Sequence, residues 1–149
     1  MATSYSYRTS VRWTEHKRGI VDGEGIPRTI NFASPPEFGG EPGLWTPEHL
    51  LLASVGTCYV ATLRAVAEAS KAEFHALELA VEGTIEKQEG GFRFTRILLR
   101  PVVTIDKEEG RERMGRMLEK AERACLVSRS LACTTSLDPQ IVVRERVHA

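Results

Sequence analysis

Apolar and polar residues alternate along the first stretch of the chain, where Tyr5, Tyr7, Thr9, Val11 and Trp13 interleave with Ser6, Arg8, Ser10, Arg12 and Thr14. A period of two belongs to a strand with one face turned inward, so the chain opens on β-structure. Asp22-Gly23-Glu24-Gly25 supplies turn residues ahead of a further short strand at Pro27–Phe32, and the proline- and glycine-rich stretch Ser34–Gly43 forbids regular structure. The pattern then changes period. Thr46-Pro47-Glu48-His49 starts a helix, with Thr46 as N-cap, Pro47 at the first helical position and Glu48 facing the positive end of the dipole. This helix should run to about Ser70. From Leu50 to Val66 it is apolar almost all round, which predicts a buried helix with Cys58 in the core or at an interface.

Alternation returns at His75, with Leu77, Leu79, Val81 and Ile85 turned inward. Gln88–Gly91 forms a turn, and Phe92, Phe94, Arg96 and Leu98 lie on the returning strand of a β-hairpin. Pro101 within that strand predicts an edge or a bulge. Met114, Met117, Leu118, Ala121 and Ala124 recur at helical spacing, giving a second helix that ends near Cys125, with a separate short helix allowed in Leu126–Ala132. Ser136–Glu145 reads as a last strand and Arg144–Ala149 as a frayed end. The order is β-β-β-α-β-β-α-β, an α+β class, in one domain over residues 1–149.

Charge narrows the partners. Twenty basic residues cancel twenty acidic ones, and no basic cluster with interleaved aromatics occurs, so neither nucleic acid nor an anionic membrane is expected. The start has no apolar signal region, and Leu50–Val60 is short for a bilayer span. A cytoplasmic location is therefore expected. Three cysteines suit reduced thiols better than a disulfide framework.

The chemistry rests on those thiols. Cys58 follows Ser54-Val-Gly-Thr57 and Cys125 follows Glu122-Arg-Ala124, both in helical surroundings, and their spacing matches no metal or thioredoxin motif. Two such cysteines can serve as attacking and resolving thiols, although buried cysteine is also a common small hydrophobe. Cys133 reads as core filler. His16, His49, His75 and His148 lack the companions a zinc site needs, and His49 lies on nearly the opposite side of the helix from Cys58, a weak base for it.

Thr46-Pro47-Glu48-His49-Leu50-Leu51, with Cys58 ten residues after the Glu, is similar to the N-P-E-x-L block and A-C-F-type cysteine of the OsmC/Ohr family of thiol peroxidases. Ala121-Glu-Arg-Ala-Cys125-Leu-Val-Ser128 resembles that family's A-x-x-x-C-P-V-S block, with Leu126 in place of proline. The resemblance implies an OsmC-like fold with a long buried central helix, in an intertwined homodimer with its site at the interface. It also implies an organic hydroperoxide as substrate. Cys58 would be the peroxidatic thiol and Cys125 the resolving one, with Glu48 as the carboxylate and an amino-terminal arginine as the guanidinium. Counting back from Glu37-Phe-Gly-Gly40 favours Arg18 over Arg28. No bound cofactor is implied, only an external dithiol reductant, for which a lipoyl-type group is a candidate. A non-catalytic module binding a small apolar ligand is the alternative.

A peroxidatic thiol must be largely ionised, yet burial raises a cysteine pKa and Cys58 lies too far along its helix to feel the dipole. A cation is expected at the sulfur, and Arg18 is the candidate, its forked donors able to hold Glu48 as well. Ten helical residues separate Glu48 from Cys58 by about 15 Å, so either the helix bends or a partner subunit supplies the carboxylate. An apolar pocket is expected from Phe38, Trp45, Leu50, Leu51 and Val55.

Overall fold

In a computed structural model the chain follows the expected order, with residues 3–144 described. It divides into two compact units, Met1–Leu51 and Leu52–Ala149.

The first unit is an antiparallel meander of β1 (Thr9–Glu15), β2 (Arg18–Gly23) and β3 (Ile26–Ala33). Its β1–β2 turn puts His16 at φ 48°, unusual for a non-glycine residue, and is closed by Trp13 Nε1 donating to the His16 carbonyl at 2.7 Å. The alternation in β1 is real, but neither face is covered, with Val11 63% and Trp13 71% exposed. Three strands and a loop give this unit too little material to bury an apolar sheet face. The loop after β3 makes only one short 3-10 turn, Pro36–Phe38. It is pinned where Gly40 N–H donates to the Pro35 carbonyl at 3.1 Å and Lys17 Nζ to the Phe38 carbonyl at 2.7 Å. Thr46 then caps α1 (Pro47–Ala69) as expected, its hydroxyl oxygen accepting the His49 N–H at 3.1 Å.

In the second unit α1 is buried along one face, by Val55, Gly56, Tyr59, Leu63 and Ala67, while Val60 remains 39% exposed. The all-round burial read from its composition is thus one stripe within the chain. By length and composition α1 is long and apolar enough to cross a membrane, more so than the Leu50–Val60 stretch suggested. Its buried stripe instead joins the core with Ile97, Leu99, Val103, Met114 and Leu118. Gly56 lets the helix approach β4 (Ala76–Gln88), since a Cβ there would meet Val81 Cγ2 at 2.9 Å.

β4 pairs antiparallel with β5 (Gly91–Ile105). Leu77, Leu79 and Val81 face inward, but on β5 the buried positions are Ile97, Leu99, Pro101, Val103 and Ile105, the parity opposite to Phe94 and Leu98. The cause is a bulge: Ile85 opposes Phe94 and Thr84 opposes Arg96, leaving Thr95 extra. β5 is no edge. The expected last strand runs parallel beside it in two pieces, β6 (Thr134–Leu137) and β7 (Gln140–Val143), broken at Asp138-Pro139. Because the Leu99 and Ile105 carbonyls accept from Asp138 and Arg144, the odd-numbered residues of β5 direct their backbone groups that way. The missing N–H of Pro101 therefore faces the break, where no ladder bond is lost. Met114, Met117, Leu118 and Ala121 form the inner stripe of α2 (Arg111–Ala124), and α3 (Leu126–Arg129) is the separate short helix. Arg144 N–H donates to Ile105, and the rest of the expected frayed end lies outside the described residues.

Candidate active site

Cys58 is partly buried on α1 and Cys125 wholly buried at the junction of α2 and α3; both are free thiols. The fold brings them together, close enough for Cys125 to help lower the Cys58 pKa. Cys125 stays extended between two helices, φ −62° and ψ 111°, so the backbone turns there and leaves the first N–H groups of α3 unpaired within their own helix. Those donors go to the sulfur. Burial pushes the Cys58 thiol up, but the Val127 N–H, the Cys125 thiol, the Thr62 hydroxyl and the Leu126 N–H together hold it below its ordinary value. Thr62 Oγ1 lies 2.7 Å from the Cys58 carbonyl oxygen, to which it donates, and 3.9 Å from the sulfur. Its one hydrogen can turn toward the thiolate when that forms.

Around Cys125, Ser128 Oγ donates to the sulfur at 3.4 Å, and the sulfur reaches the Val55 carbonyl at 3.9 Å. Tyr59, next to Cys58 in the chain, donates its hydroxyl to the Leu118 carbonyl at 3.0 Å. Burial, reinforced by Glu122 and Cys125, pushes Tyr59 far above the usual phenol range. Leu126, where the motif has proline, keeps its N–H for the sulfur and leaves its side chain 68% exposed.

The lowered pKa of Cys58 is thus accounted for without a guanidinium. Sequence reasoning reached both cysteines but missed Thr62, Leu126, Val127 and Tyr59. A threonine one turn after Cys58 and a helix beginning directly after Cys125 were the available signals.

In the first unit, Arg18 ion-pairs with Glu41 at 3.2 Å and Glu15 at 3.8 Å. With His16, Lys17, Gly39, Gly40 and Glu41 it lines a cavity of about 610 Å³. Arg28 is exposed on β3 with no ion pair among the described residues. Glu48, in the first turn of α1, keeps Oε1 buried without a hydrogen-bond partner among the described residues. His49 Nδ1 lies 2.7 Å from the Thr46 hydroxyl, and its ring stands edge-on to Trp45, an N-terminal structural role. Val55 is wholly buried in the core, so it cannot line the expected apolar pocket. Cys133 packs partly buried against the core, and no cluster of three metal-ligating side chains occurs among the described residues.

A family model described as OsmC-like protein matches residues 40–139. A protein of Bacillus subtilis called YmaD, itself uncharacterized, is 27% identical over 148 residues, covering 97% of both chains. Among solved structures, an OsmC-like protein of unknown function from Vibrio cholerae superposes with TM-score 0.81 at 14% identity, over 91% of this chain and 99% of that one. An organic hydroperoxide resistance protein from Legionella pneumophila gives 0.75 at 22% identity, over 95% and 100%. The Bacillus subtilis organic hydroperoxide resistance protein OhrB gives 0.67 at 18%, over 92% and 98%. The chain belongs to the OsmC-like protein family, and its α+β fold is that family's fold.

Proposed function

We propose that the protein is a cytoplasmic thiol peroxidase that reduces organic hydroperoxides. The observation that carries this reading is a Cys58 sulfur whose anion is favoured by four donors, one of them the thiol of a wholly buried second cysteine. A thiolate so held attacks the terminal oxygen of a hydroperoxide, the O–O bond breaks, and the alkoxide leaves and takes a proton as an alcohol. Cys58 becomes a sulfenic acid. Cys125 attacks that sulfur, releasing water and closing a disulfide, which an external dithiol reduces by exchange; a lipoyl-type group is a suitable donor. Leu126, next to Cys125 in the chain, presents exposed apolar surface, which favours apolar peroxides over hydrogen peroxide.

Hydroperoxide resistance proteins among the structural neighbours support the same reading. Arg18 and Glu48 enter it as the guanidinium and carboxylate that orient the peroxide, roles assigned by motif. The exposed side of α1 and the uncovered sheet face at Val11 and Trp13 favour a homodimer that buries them.

Titrating free thiols before and after one equivalent of cumene hydroperoxide tests the reading. It expects two thiols lost per alcohol formed in the wild-type protein and no peroxide consumed by folded Cys58→Ser. Turnover retained in Cys58→Ser would refute it.

A further inference from the structure

Cys125 is wholly buried, so in the resolving step its proton must leave a place closed to solvent. Its neighbours are poor acceptors. Tyr59 is equally buried and spends its hydroxyl hydrogen on Leu118, and Ser128 donates to the sulfur rather than accepting from it. The Val55 carbonyl is an amide oxygen with no useful basicity at neutral pH.

Glu122 differs from these. It precedes Cys125 by three residues at the end of α2, a spacing that sets Cβ atoms about 5–6 Å apart. Its Oε2 is shielded from solvent and has no hydrogen-bond partner among the described residues. Glu122 and Cys125 both act electrostatically on the Tyr59 hydroxyl. Burial pushes the Glu122 carboxyl up; the charge of Glu119 adds to this while Arg123 opposes it. A less acidic carboxyl is a better proton acceptor near neutral pH.

We propose that Glu122 is the acid–base group of the resolving step, an assignment that rests on the peroxidase reading above. The Cys125 S–H bond breaks and its proton passes to Glu122 Oε2, while the sulfur's electron pair attacks the Cys58 sulfur. The S–O bond of the sulfenic acid then breaks, and the departing hydroxide recovers the proton from Glu122 as water. Glu122 returns to its starting state, and no further reactant is needed.

Single-turnover quench experiments with cumene hydroperoxide, read by mass spectrometry, separate the two steps. In Glu122→Gln, sulfenic acid should form at the wild-type rate, while disulfide formation slows on the order of a hundredfold near neutral pH. The acid limb of the wild-type disulfide rate should vanish. Glu122→Asp should recover part of the rate, and Glu112→Gln, an exposed acid on the same helix, should match wild type. Unchanged disulfide kinetics and pH profile in Glu122→Gln would overturn the assignment while leaving the peroxidase standing. A wild-type protein that forms no sulfenic acid would overturn both.

Discussion

Replacing Cys125 by alanine removes one of the four donors to the Cys58 sulfur and leaves the N–H groups of Leu126 and Val127 in place. A hydrogen bond to a charged group contributes roughly 1.5–3 kcal/mol, and sulfur is a weak partner, so the low end applies. At about 1.4 kcal/mol per unit, the Cys58 pKa should rise by about one unit. The assay is the rate of iodoacetamide alkylation against pH in a Cys133→Ser background. Cys58 is then the accessible thiol, Cys125 being wholly buried. On the acid side the rate should fall about tenfold in Cys125→Ala, and above the thiol's ordinary range it should not change. Cys125→Ser keeps a hydroxyl donor and should hold most of the acid-side rate. The lost sulfur also leaves a small void, costing on the order of 1 kcal/mol of stability, so a melting curve must accompany the rates. An unchanged acid-side rate in folded Cys125→Ala would show that α3 alone stabilises the anion, refuting the contribution assigned to Cys125.

Glu122 should also report in stability. Its folded pKa lies above the unfolded value, so its contribution is intact below the ordinary glutamate range and is lost as pH rises through the folded value. Glu122→Gln should therefore raise the denaturation midpoint at pH 7 and lose that advantage near pH 4; a destabilised variant at pH 7 would contradict the burial of this carboxyl. Arg18→Met should lower peroxide turnover while leaving the pH profile of Cys58 alkylation in place, because the sulfur's donors lie on α1, on α3 and at Cys125 just before α3. Arg28→Met should alter neither, and a shifted profile in Arg18→Met would return the guanidinium to the sulfur. Gly40→Ala should fail to fold its loop natively, since a Cβ would stand 1.6 Å from the Ser34 carbonyl oxygen; a native-like amino-terminal NMR spectrum would disprove this.

Helix starts and stops were legible because their signals are local: Thr46 and Pro47 begin α1, and the backbone turns at Cys125. Alternation marked β1, β4 and β5 as strands, but it did not locate β2 (Arg18–Gly23). The facing of β5 was not legible, because one unpaired residue at Thr95 reverses the parity, and nothing in the string marks which residue is extra. The split of the last strand was half-written in Asp138-Pro139, and its match to Pro101 depends on a parallel register that only the fold supplies. At the site, both thiols could be read from their motifs, but the source of anion stabilisation could not. Among the groups that lower the Cys58 pKa are backbone N–H groups, which every residue but proline carries and which therefore leave no compositional trace.

The bulge at Thr95 makes the hairpin unequal in its tolerance of length change. Deleting Thr95 would join Phe94 to Arg96 and turn the interrupted ladder into a flush one, with Ile85 still opposite Phe94, Thr84 still opposite Arg96 and every later residue on its native face. Deleting a residue from 98–104 would instead rotate the rest of β5 by half a period and point Ile105 to solvent. A one-residue indel is thus nearly silent at one position of this strand and ruinous a few residues on.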